Sequence, residues 1–200
     1  RVIDNIKGIS KVYSPLKSFL KDNQDEFLKN MLVAYTTIGL ANVLGWRTPG
    51  IKDKIVQICL FSDITLTSND YFNIILANGD RNNLSKKVIN HPLEAAKIAS
   101  TTKNAFAREV IQAIEQHHEM PNGSGYPKQI KGLAINQLSA IQIVARTFID
   151  TLVSSNFAYD DRNEFVQDMV SNFKFPNFSQ PCKALYIIMG LEPEKQGYHD

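Results

Sequence analysis

The chain has 200 residues with 22 Lys and Arg against 20 Asp and Glu, a formal charge of +2, too balanced to mark a duplex nucleic-acid partner. Hydrophobic residues make up 44%, enough for a sizeable buried core, so one domain over 1–200 is expected, with 1–24 as a helical lead-in and 25–190 as the core. The start at Arg1 suggests a piece of a longer protein. The longest uncharged stretch, residues 31–46, falls short of the roughly 20 apolar residues a membrane-spanning helix needs, and no secretory leader pattern is present.

In chain order, Ile3, Ile6, Ile9, Val12 and Tyr13 recur at helical spacing, with a bend or split expected at Ser14-Pro15. Phe27, Met31, Tyr35 and Ile38 predict the buried stripe of a second helix. Thr48-Pro49 predicts an N-cap and first helical residue, opening a helix through Cys59 toward Phe61. Trp46 and the phenylalanines are read as core. A short helix follows over Asp70 to Ala77, closed by a turn at Asn78-Gly79-Asp80. Asn90 is taken as the cap of a helix carrying His91, Pro92, Ala95 and Ala96, and Phe106, Val110, Ile111 and Ile114 mark the next, which runs into His117. Further helices are expected from Gln137 to about Leu152, near Arg162 to Phe173, and from Gln180 to Met189, before a frayed tail from Glu192. Nothing alternates like a strand, so the fold class is all-α. Cys59, inside the apolar run IVQICLF, and the distant Cys182 are read as reduced thiols in a cytoplasmic protein.

One segment breaks the helical pattern. Residues 119–132 hold two prolines and three glycines, and long loops of this kind in compact proteins are often functional. The text from His117 is HHEMPNGSGYP: Glu119 follows two histidines, Gly123 and Gly125 permit unusual backbone, Tyr126 offers an aromatic face and Pro127 stiffens the exit.

HHE followed by GxGYP resembles the hallmark of the HD-GYP family, and His91-Pro92 is similar to that family's HP pair at a helix start. The resemblance covers most of the chain. It implies an all-α bundle of the HD superfamily with a long GYP loop and a metal-dependent phosphodiesterase acting on cyclic di-GMP. Water attacks a phosphodiester near neutral pH with the help of bound cations, and histidine and carboxylate ligands suit iron, manganese or zinc. The same resemblance implies Asp63, His91, His117 and His118 as the ligands of one ion.

Other positions depart from the family pattern. Where the family has HDxGK, this chain has Ser62-Asp63-Ile64-Thr65-Leu66, Arg146 stands in place of a late aspartate ligand, and Lys29 falls on an early histidine by a gapless count. Unit charges a few ångströms apart interact by about 4 kcal/mol at an effective dielectric near 20, and a divalent ion doubles the repulsion. Arg146 is therefore expected to pair with Asp63 in place of an ion, and Asp150, four residues on, is expected to pair with Arg146 on the helix surface. The leading expectation is an inactive binding or regulatory domain without bound metal, whose loop meets a diguanylate cyclase or another signalling protein. The alternatives are a single-metal phosphodiesterase on Asp63, His91, His117 and His118, and a sensor that binds cyclic di-GMP without cleaving it.

Overall fold

The computed structural model describes residues 2, 10–77, 80–102, 105–155 and 162–192. Ile3, Ile6 and Ile9, the turn residues Asn78 and Gly79, and the tail beyond Glu192 lie outside them. The described residues are all-α: α1 (Ser10–Asp22), α2 (Gln24–Val43), α3 (Pro49–Phe61), α4 (Ser68–Ala77), α5 (Lys86–Ser100), α6 (Arg108–Gln116), α7 (Gln137–Ser154), α8 (Arg162–Val170) and α9 (Pro176–Ile188), with no strand among them. None of these helices is long and apolar enough to cross a membrane.

Helix starts follow local chemistry. Thr48 Oγ1 accepts from Ile51 N at 3.4 Å, and Pro49 opens α3 as expected. The start of α5 differs from expectation: Ser85, not Asn90, is the cap, accepting from Val88 N at 3.2 Å. His91 and Pro92 therefore sit in the second turn of α5. Val88, His91, Pro92 and Ala95 share one buried face, and that burial outweighs the cost of an internal proline. The same balance holds at Pro15, where α1 is not split, because Val12, Leu16 and Phe19 bury a continuous stripe across it. Helix α9 begins at Pro176, a turn before the expected Gln180, with the proline in its first turn.

Phe27, Met31 and Ile38 of the expected α2 stripe pack partly buried against the core, but the fully buried face lies beside them. Val33, Ala34, Thr37, Leu40 and Ala41 point inward, whereas Tyr35 is 80% exposed. This helix packs against α3, α7 and α9, so several of its sides carry small or apolar residues and periodicity alone could not choose the inner one. Trp46 packs at the edge of the core, and both cysteines are free and buried.

Helix α5 packs on α6, and α6 packs on α3 and α7. That arrangement converges the residue after α3, the second turn of α5, the end of α6, and inner faces of α2 and α7. Replacing Ser85 by Ala should lower unfolding free energy by about 1 kcal/mol in urea titrations, through loss of the cap. An unchanged midpoint would show that Ser85 does not set the start of the helix carrying His91.

Candidate functional site

Asp63 sits immediately beyond α3, fully enclosed, and its two carboxylate oxygens face different partners. Oδ2 accepts from Arg146 Nη2 and from Asn30 Nδ2, each at 3.0 Å. Arg146 Nη2 also reaches Asn30 Oδ1 at 3.0 Å, so one residue each from α2, α3's end and α7 closes a buried triangle. Asn30 is 1% and Arg146 6% exposed, which keeps this pair in a low-dielectric setting.

The other oxygen faces histidines. Asp63 Oδ1 lies 3.2 Å from His91 Nε2 and 3.3 Å from His117 Nε2, and the two Nε2 atoms are 3.1 Å apart. The opposite ring nitrogens settle the tautomers. His91 Nδ1 lies 2.6 Å from Val88 O and His117 Nδ1 lies 2.6 Å from Ile114 O; a carbonyl can only accept, so each Nδ1 carries the proton. Two imidazole lone pairs and a carboxylate oxygen then converge on one point. Such a donor set, with each ring oriented by a backbone carbonyl, fits a divalent cation. One ligand atom from each of Asp63, His91, His117 and His118 lies within 4.8 Å of all the others.

Electrostatics agree with the two-sided arrangement. Burial works to raise the Asp63 pKa, but the Arg146 guanidinium holds it well below the usual carboxylate range. Burial pushes His117 down to about 4 despite its contact with Asp63. His118 is pushed well below the ordinary value, first by burial and then by His117 and His91 beside it. Neutral histidines are the ligand form. Burial opposes the Arg146 charge, yet Asp63 and Asp150 raise its pKa.

The GYP loop is folded back on the histidines. Tyr126 N donates to His118 O at 3.0 Å, and the Tyr126 ring stacks on His118 with centroids 4.6 Å apart at 24°. A Cβ at Gly125 would lie 2.3 Å from His118 O and 2.4 Å from Met120 N, so only glycine permits this return. Gly123 has φ +81°, the left-handed region that glycine tolerates. The Tyr126-Pro127 peptide is cis. Glu119 is 1% exposed, and its carboxylate accepts from Lys128 N at 2.7 Å and Ile130 N at 3.1 Å. It is a brace for the loop.

The residues expected to be replaced are placed unequally. Ser62 Oγ turns back along α3 to donate to Ile58 O at 2.7 Å, and Leu66 is buried in apolar packing. Arg146 is at the centre. Lys29 lies outside the triangle, with Nζ at 2.7 Å from Glu26 and 3.5 Å from Asp150. Burial opposes the Lys29 charge, and Asp150 and Glu26 raise its pKa. The expected Arg146–Asp150 pair is thus a correction: Arg146 turns inward to Asp63, leaving Asp150 to Lys29.

Two participants were not foreseen. Asn30 completes the Arg146–Asp63 contact, and its only sequence signal is its place one residue after Lys29. Gln116 accepts from Asn136 N at 3.1 Å and Ser139 Oγ at 2.7 Å, tying the end of α6 to the loop exit and the start of α7.

A model of the HD domain family matches residues 69–171, just over half of the chain, and the chain belongs to that family. The matched span holds His91, the two adjacent histidines, the GYP loop and Arg146, and begins after Ser62-Asp63. No curated protein and no solved structure matches the chain. HD domains usually bind divalent metals, and Asp63, His91, His117 and His118 form a cluster that could hold one.

Removing one member of a buried ion pair leaves an uncompensated charge. Arg146→Ala should therefore lower stability by about 3–5 kcal/mol in denaturant titration, and the Arg146→Ala, Asp63→Ala double variant should lose less than the sum of the singles. Additive losses would contradict the pairing.

The histidines set a pH dependence for metal-free protein. Because His117 takes up a proton near pH 4 when folded and near its ordinary 6.5 when unfolded, protons favour the unfolded chain. Stability should be full above that ordinary value and fall as pH drops from about 6.5 to about 4, with a further loss below 3.8 as Asp63 is titrated. Urea midpoints measured with chelator across that range check this, and a midpoint rising toward acid would contradict it.

Proposed function

We propose that this is an HD-GYP-like domain of cyclic di-GMP signalling that does not turn the nucleotide over at a useful rate and works as a binding or regulatory module. The observation that carries the reading is the 3.0 Å contact between Arg146 Nη2 and Asp63 Oδ2. Hydrolysis of a phosphodiester by water uses cations to neutralise the charge that develops on phosphate. Here a fixed guanidinium occupies one oxygen of the carboxylate that would otherwise be shared between two ions. Ser62 Oγ turns back to Ile58 O, and Leu66, a buried hydrocarbon, has no ligand atom to offer.

On the remaining side Asp63, His91, His117 and His118 would hold one ion of iron, manganese or zinc. Such an ion lowers the pKa of water and polarises phosphate oxygens. The Nδ1-protonated tautomers of His91 and His117 favour that occupancy, and they support a second reading, a residual single-metal phosphodiesterase. In the leading reading Gly123, Gly125, Tyr126 and Pro127, braced by Glu119, form the recognition surface for a protein such as a diguanylate cyclase domain. Two buried free thiols agree with a cytoplasmic setting.

Purified protein incubated with manganese or ferrous iron and cyclic di-GMP should yield no linear dinucleotide or GMP above the protein-free blank. Its metal content should not exceed one ion per chain. Robust conversion to product would overturn the reading in favour of the single-metal enzyme.

A further inference from the structure

Helix α2 is apolar on two sides. Its inner side, with Val33, Thr37, Leu40 and Ala41, is buried as the helix packs on α3, α7 and α9. Its outer side carries Leu28, Leu32 and Tyr35 at 60%, 45% and 80% exposure, followed by Gly39 and the exposed Val43. With about 100° between successive residues, these five share a stripe on the side away from the buried face. A solvent-facing helix side ordinarily carries charged and polar groups, yet no side chain from Asn30 to Trp46 is charged.

Gly39 lies on this stripe in the body of the helix, where glycine costs stability relative to alanine. A Cβ there would meet nothing within 4 Å, so nothing inside the protein demands glycine. Its bare backbone leaves a hollow in the outer surface, one turn beyond the projecting Tyr35 ring. Leu28, Leu32, Tyr35 and Gly39 alternate steps of four and three residues, the seam spacing by which two helices pack knobs into holes.

The charges around the stripe choose its occupant and the direction in which it lies. Asp25 and Glu26 stand in the first turn of α2 and Arg47 just beyond its end, with no acidic side chain between Glu26 and Asp53. Asp25 and Arg47 are exposed, and among the described residues neither makes an ion pair. Two copies of α2 laid antiparallel about Tyr35 bring Asp25 of each toward Arg47 of the other. The same placement sets Leu32 of each over the hollow at Gly39 of the other. A parallel pair would instead bring like charges together. Laid antiparallel, the stripe is complementary to itself, as a two-fold contact requires.

We infer that the outer face of α2 is the contact between two copies of this chain, packed antiparallel about a two-fold axis at Tyr35. The contact is independent of what the Asp63 centre binds, although it backs onto the helix that carries Asn30. Helix α9, packed beside α2, ends in the exposed Ile187 and Ile188, further apolar surface to flank the pair. One helix pair is small beside the roughly 800 Å² per partner of a standard interface, so the dimer is a weak one that dissociates on dilution.

Sedimentation equilibrium of the purified chain between about 1 and about 500 µM spans the range of a weak contact. The mass should rise reversibly from 22.5 kDa toward twice that value. Tyr35→Glu sets two carboxylates against each other at the axis, on a side chain outside the core, and should weaken association about tenfold or more. Gly39→Leu should also weaken association, while the melting temperature of dilute protein stays unchanged or rises, since leucine favours helix more than glycine does. Under mild oxidation Tyr35→Cys should give a disulfide-linked dimer and Leu28→Cys should not, because only the residue at the axis meets its own copy. The two native cysteines are buried and do not interfere. A monomer at every concentration, which would leave the face to a different partner, overturns the inference. So does parent-like association of Tyr35→Glu, or linkage at Leu28→Cys equal to that at Tyr35→Cys.

Discussion

The contact between Arg146 and Asp63 is the constraint on which the rest of the site depends. Both groups are almost wholly removed from water, and a buried ion pair is a poor source of net stability, because desolvation offsets much of the attraction. Its effect is instead to fix an arrangement. With Asn30 bridging the pair, α2, the end of α3 and α7 are held to one polar point inside an otherwise apolar bundle. A change at any of the three would strip each of the other two of one buried partner.

Asp63 mediates between two kinds of chemistry. One oxygen answers a fixed cation supplied by the chain, and the other points at lone pairs that suit a cation supplied from outside. The side facing His91 and His117 keeps the form of a metal centre, down to the carbonyls that orient the rings. Across the carboxylate, the positive charge is already covalently present. The GYP loop joins this centre through His118, whose carbonyl receives Tyr126 N and whose ring stacks on the Tyr126 ring, so the loop's shape and the histidine cluster are set together.

Much of this was legible because the residues involved have few substitutes. The glycine at 125 is demanded by backbone contact, and HHE followed by GxGYP drew attention to the loop that folds back on His118. The all-α class followed from periodicity alone. Charge arithmetic foresaw that Arg146 would turn to Asp63. What escaped was decided by packing. The inner face of α2 could not be chosen from a helix apolar on several sides, so Tyr35 was placed inside, and the gapless count that singled out Lys29 passed over Asn30 beside it. Adjacent residues on a helix point about 100° apart, enough to move a side chain from rim to centre. Local spacing likewise favoured an Arg146–Asp150 pair, which a longer-range partner in Asp63 displaced.

The central claim is that a guanidinium takes the place of an ion on one side of Asp63. Anomalous diffraction from crystals grown with excess manganese tests it most directly. The account predicts no more than one anomalous peak, at His91, His117 and His118, with Arg146 still on Asp63 Oδ2. Two neighbouring peaks bridged by Asp63, with the arginine swung away, would contradict it.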